Sequence, residues 1–221
     1  MLLRVTNLKH HYPVPRGKPH TILDLPEWSL EEKQQIALTG ASGTGKTTLL
    51  YILAGLLPPS EGEVFFAGQP LYQLSEARRD RWRAREVGFI FQDFHLLERY
   101  TVEENITLAQ LFGKADRTIP LDNLLERLDL VSQRKYFPRH LSAGQKQRVA
   151  IARALINQPR LILADEPTGN LDPERARSTT ELLLQQAEDQ DCAVIMASHD
   201  PGLCQLFPEN FHLSSASPTT S

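Results

Sequence analysis

The chain has 221 residues, 41% of them hydrophobic and 23% charged, with a formal net charge of −3. That length buries a full core and fits one globular domain, while the small negative charge excludes a general attraction to nucleic acid or anionic lipid. Cys192 and Cys204 lack CxxC spacing, which excludes a disulfide framework and a zinc knuckle and fits a reducing cytosol.

The amino terminus, Met1 to Thr6, carries no long apolar segment of the signal-peptide kind, and no stretch reaches the roughly 18 apolar residues of a membrane span. Any membrane role is therefore expected to come through a partner. The chain reads as β-rich to about Phe66. Within that region Gln35 to Thr39 is an apolar strand, and Leu49, Ile52, Leu53 and Leu56 recur at helical spacing. Between them lies Gly40-Ala41-Ser42-Gly43-Thr44-Gly45-Lys46-Thr47-Thr48, a GxxxxGK[ST] loop in its strand-loop-helix context.

Each residue type in that loop has a reason. Gly43 and Gly45 let the backbone curl so that successive N–H groups face anionic oxygens, and the helix starting near Lys46 adds its positive end. Lys46 brings a mobile charge for the β and γ phosphates of a nucleotide, and Thr47 a hydroxyl for Mg²⁺.

A helix-rich stretch follows from about Ser75 to Ile156. Its basic cluster, Arg78 to Arg85, interleaves arginines with Asp80 and Trp82, the pattern of a solvated face or a contact between subdomains rather than of nucleic-acid binding. Leu141-Ser142-Ala143-Gly144-Gln145 opens a helix with an apolar stripe at Ile151, Ala154 and Leu155. Its serine and glycine form a second anion site at a helix start.

Leu161 to Ala164 is an apolar strand that ends in Asp165 and Glu166. Ligands meet the carboxyl ends of parallel strands, so these acids are expected beside the nucleotide, Asp165 near Mg²⁺ and Glu166 orienting or deprotonating the attacking water. A helix near Glu174 to Glu188 and a strand from Ala193 to Ala197 complete a parallel α/β core. The last residues, 213–221, read as a disordered tail.

The run LSAGQKQRVAIARAL, from Leu141 to Leu155, resembles the signature motif of ATP-binding cassette (ABC) ATPases, and the resemblance extends from about residue 2 to residue 206. It implies a P-loop NTPase core of RecA type with an antiparallel β subdomain and a helical subdomain of about residues 93–157, inside a nucleotide-binding domain of residues 1–212. It implies that Ser142, Ala143, Gly144 and Gln145 of one subunit cap the ATP held by the phosphate loop of the other, in a homodimer closed by two ATP.

Gly88-Phe89-Ile90-Phe91-Gln92 resembles the Q-loop, so Gln92 is expected to contact Mg²⁺ or the attacking water, with the loop after it sensing a membrane partner. Asn170-Leu171-Asp172 resembles the D-loop and His199 the switch histidine that reads the γ-phosphate; Tyr12 is the best candidate for the aromatic that stacks on adenine, with His10 and His11 close by and a packing role as the alternative reading. The run Ala164 to Asp172 is similar to the branch containing lipoprotein-releasing, macrolide-export and cell-division ATPases. This implies a peripheral subunit on the cytoplasmic face of the inner membrane beneath an FtsX- or MacB-like permease, driving transport or, as in the cell-division members, force transmission.

Two features depart from the pattern. Ala143 stands where the signature has its first glycine, so its methyl is expected to crowd the phosphate contact slightly, and the segment after His199 is short and without the usual final strand pattern.

Overall fold

Two sheets of different kinds meet around the phosphate loop in this computed structural model, which describes residues 1–14, 19–113 and 118–215. In chain order, strands β1 (Leu3–Tyr12), β2 (His20–Leu30) and β3 (Gln35–Thr39) lead through the loop into helix α1 (Lys46–Leu53). There follow β4 (Glu61–Phe66), β5 (Gln69–Pro70), α2 (Glu76–Glu86) and β6 (Val87–Ile90), then α3 (Val102–Gly113), α4 (Leu121–Arg127) and α5 (Ala143–Leu155). The chain closes with β7 (Leu161–Asp165), α6 (Pro173–Asp189), β8 (Ala193–Ala197), α7 (Pro201–Cys204) and β9 (Glu209–His212).

β2, β1, β4 and β5 form an antiparallel sheet in that order, and β6, β7, β8, β3 and β9 a parallel one. Every residue of β7 and β8 is buried, as a sheet covered on both faces requires. Alternation along the strands divides the core. Ile162, Ala164, Val194 and Met196 face a cluster with α3, α5 and α6, whereas Leu161, Leu163 and Ile195 face one with α1 and the antiparallel sheet.

The structure corrects three expectations. The helix-rich middle contains a strand, β6, which joins the edge of the parallel sheet beside β7 and leads straight into Gln92. The final strand, which has no pattern in the segment after His199, is present: β9 pairs with the other edge, on β3, with Leu38 opposite Phe211. Leu213, assigned to the tail, is buried, and its N–H donates to the Thr39 carbonyl at 2.8 Å. The remainder of the expected tail from residue 216 lies outside the described residues.

The arginines of α2 have local work. Arg79 Nε and Arg83 Nη1 both donate to the Gly55 carbonyl, at 3.1 and 2.9 Å, complementing the negative carboxyl end of α1. Trp82 packs edge-on against Phe66 across the same seam. The basic cluster thus holds the helix that follows the phosphate loop.

Close packing of β6 on α5 depends on one glycine. A Cβ at Gly88 would lie 2.5 Å from the Ala154 carbonyl oxygen, so Gly88→Ala should destabilise the protein by about 1–3 kcal/mol through overpacking. An unchanged urea midpoint would contradict that account of the β6–α5 seam.

Candidate functional site

The phosphate loop leaves β3 with Gly40, Gly43 and Gly45 all at positive φ, and Gly45, at 96°, caps α1. Glycine is required there twice over, because a Cβ at Gly45 would also meet Leu23 at 2.8 Å and the Ile22 carbonyl at 3.0 Å. A helix start leaves its first N–H groups without intrahelical acceptors, so those of Lys46, Thr47 and Thr48 converge on the loop's concave side. Lys46 Nζ arches over the loop, donating to the Gly40 and Ala41 carbonyls at 2.9 and 3.1 Å. The Thr44 hydroxyl turns inward to the Ala41 carbonyl, which leaves Thr44 only its backbone to offer a ligand.

A cleft of about 440 Å³ opens above this loop, lined by Tyr12, Ile22, Ser42, Gly43, Gly45, Lys46, Thr47, Thr48, Gln92, Asp165 and Glu166. It gathers residues from β1, the phosphate loop, the segment after β6 and the end of β7. Thr47 Oγ1 donates to Asp165 Oδ1 at 3.1 Å. Burial pushes the Asp165 carboxyl above the usual carboxylate range and Glu166 adds to it, opposed by the Thr47 hydrogen bond and the Lys46 charge.

Glu166 sits at φ 44°, uncommon for a residue with a long side chain, and three bonds fix it there. Its N–H donates to the Ala197 carbonyl at 3.1 Å, its carbonyl accepts from Gly169 at 3.1 Å, and Oε2 lies 3.0 Å from His199 Nδ1. His199 therefore enters the site through Glu166 from the end of β8. Gln92 is steadied by Asn170, whose amide donates to the Gln92 carbonyl at 3.2 Å.

Residues Ser142 to Gln145 do not line this cleft. Ser142 is the N-cap of α5 in a reciprocal capping box: Ser142 Oγ accepts from the Gln145 N–H at 3.3 Å and Gln145 Oε1 from the Ser142 N–H at 2.9 Å. Asp172 likewise caps α6, accepting from the Arg175 N–H at 3.0 Å, and lies outside the cleft. Sequence reasoning missed Ile22 and the side-chain role of Asn170. The first is placed by a β-bulge and the second by a contact across the site, and neither has a local signature.

A profile of the family described as "ABC transporter" matches residues 23–169, well over half of the chain. The chain belongs to the ABC transporter family. Among similar ABC proteins, the lipoprotein-releasing system ATP-binding protein LolD of Shewanella oneidensis is 45% identical over 173 residues, covering 77% of this chain and 75% of its own. A LolD of Chlorobium luteolum is 39% identical over 209 residues, covering 90% and 88%.

Among solved structures, the dimeric post-hydrolysis state of the ATP-binding cassette MJ0796 bound to ADP and Pi aligns with TM-score 0.85 and 29% identity, covering 96% of this chain and 94% of that one. A second dimeric structure of that cassette aligns equally well at 30% identity. As an ABC transporter ATPase, the chain is the ATP-binding and hydrolysing subunit of a transporter complex. Among the described residues no helix is long and apolar enough to cross a membrane.

Proposed function

We propose that two copies of this ABC ATPase close around two Mg-ATP, each nucleotide gripped by the phosphate loop of one subunit and capped by Ser142, Ala143, Gly144 and Gln145 of the other. The observation that carries this reading is the separation of the two anion-binding helix starts. The cleft holds Lys46, Thr47, Gln92, Asp165 and Glu166, while the α5 start lies outside it. The dimeric cassettes similar to this chain support it.

Within the site, N–H groups of Gly40 to Thr48 and the Lys46 ammonium bind and orient the triphosphate. The hydroxyl of Thr47, the carboxylate of Asp165 and the amide oxygen of Gln92 are hard oxygen donors meeting in one cleft, and buried Asp165 lacks a full counter-charge. That donor set fits Mg²⁺, a hard cation that these oxygens would hold. When bound, Mg²⁺ neutralises charge on the phosphates. Glu166 accepts the proton of the attacking water, and His199, hydrogen-bonded to it, holds the carboxylate and reaches toward the γ-phosphate. Asp172 joins the subunit contact as part of the D-loop, and the Tyr12 ring takes the adenine.

The coupled partner is a membrane permease of the FtsX or MacB type, which sets the subunit on the cytoplasmic face of the membrane. A groove of about 530 Å³ beside β6, lined in part by Phe89, Phe91, Phe112 and Arg83, lies next to the Gln92 segment and supports a docking site there. Similarity to the LolD proteins favours lipoprotein release as the driven process.

Mixed dimers test the composite site. Lys46→Ala subunits combined with Ser142→Arg subunits carry one intact composite site per heterodimer and should recover hydrolysis absent from either parent alone. Inactive mixtures, with heterodimers shown to form, would contradict the reading.

A further inference from the structure

Tyr12 is held from two sides. Its hydroxyl lies 3.2 Å from Thr48 Oγ1 on α1, and its ring packs edge-to-face with the His10 ring, centroids 4.9 Å apart and planes at 80°. Two residues apart on β1, these side chains share a face of the strand. They differ sharply in exposure: Tyr12 is 44% exposed at the cleft, whereas His10 is 7% exposed beneath it. The His10 Nδ1 is buried, and the imidazole interacts with the Pro58 backbone.

The backbone nearby is specialised as well. β1 pairs His10 with Leu23 but His11 with Thr21, so Ile22 is the extra residue of a bulge and turns into the cleft with Tyr12. His11 pins the strand end from the other side, its N–H donating to Ser60 Oγ and its Nδ1 lying 3.0 Å from Thr21 Oγ1.

We propose that His10 is a positioning residue for nucleotide binding: its buried imidazole, packed nearly perpendicular to the Tyr12 ring, fixes the plane of that ring so that the base stacks on it. The inference rests on Tyr12 being the adenine platform. With its hydroxyl engaged by Thr48, Tyr12 offers the base a flat face, and stacking on a flat face depends on its tilt. His10 does not line the cleft itself, so its contribution is confined to what it does through Tyr12.

The test compares ATP with inorganic tripolyphosphate, which has the phosphates and no base, by calorimetric titration of the full chain. His10→Ala and the space-filling His10→Leu should weaken ATP about three- to tenfold, tripolyphosphate affinity and kcat staying as in the parent. His10→Phe, which restores an aromatic ring, should recover ATP affinity. Tyr12→Ala should weaken ATP and not tripolyphosphate, and if it leaves ATP unaffected the platform reading itself fails. A Tyr12→Ala effect with unchanged ATP affinity in both His10 variants overturns the role of His10 alone. Equal loss of both ligands in the His10 variants, or no recovery with His10→Phe, makes the residue merely structural and also overturns it.

Discussion

Lys46→Ala is expected to weaken nucleotide binding on the order of a hundredfold and to abolish hydrolysis. The side chain is 7% exposed, and its ammonium arches over the loop at hydrogen-bond distance from the Gly40 and Ala41 carbonyls. In the proposed complex it meets the β and γ phosphates from there. Removing one partner of such a charge pair in a partly dry site costs about 3 kcal/mol or more, and each 1.4 kcal/mol is roughly tenfold in affinity. The fold should survive, because the lost bonds are to loop carbonyls that water can satisfy. Titration with a fluorescent ATP analogue measures the effect. Undiminished affinity in a folded variant would remove the loop from its assigned role.

Glu166→Gln is expected to lose hydrolysis by roughly a factor of a hundred to ten thousand while keeping Mg-ATP affinity within a few fold. The amide keeps the shape and the contact with His199 but cannot take a proton from water. Its backbone, at φ 44° and tied to Ala197 and Gly169, is set by bonds that the substitution leaves alone. Single-turnover hydrolysis, with binding measured in parallel, separates the two effects. A wild-type chemical rate would exclude Glu166 as the base, and lost binding would make it a structural residue of the cleft.

How much of this was legible in the sequence depended on how local the signal was. The phosphate loop shows itself because positive φ at Gly43 and Gly45 and a lysine at a helix start are demands of a few consecutive residues. The acids at the end of β7 were legible for the same reason, since an apolar strand interrupted by Asp165 and Glu166 has one natural place to end. Ser142 and Gln145, three apart, announce a capped helix.

β6 was hidden because four residues after an arginine-rich helix give no periodicity that separates strand from helix. β9 was hidden because Glu209, Asn210 and His212 are polar and exposed. Its place is set by backbone pairing along an edge of the sheet and by Phe211 alone, which stacks on Trp28. The contacts of Asn170 with Gln92 and of Thr48 with Tyr12 join distant segments, which no window of sequence brings together.

The composite site is tested most directly by the mass of Glu166→Gln in light scattering, measured with Mg-ATP, with Mg-ADP and without nucleotide. Each γ-phosphate is expected to lie between Lys46 and His199 of one subunit and Ser142 of the other. The variant should therefore have the mass of a dimer in Mg-ATP and of a monomer in the other two conditions. A protein that binds ATP to saturation and keeps the monomer mass would contradict the shared site.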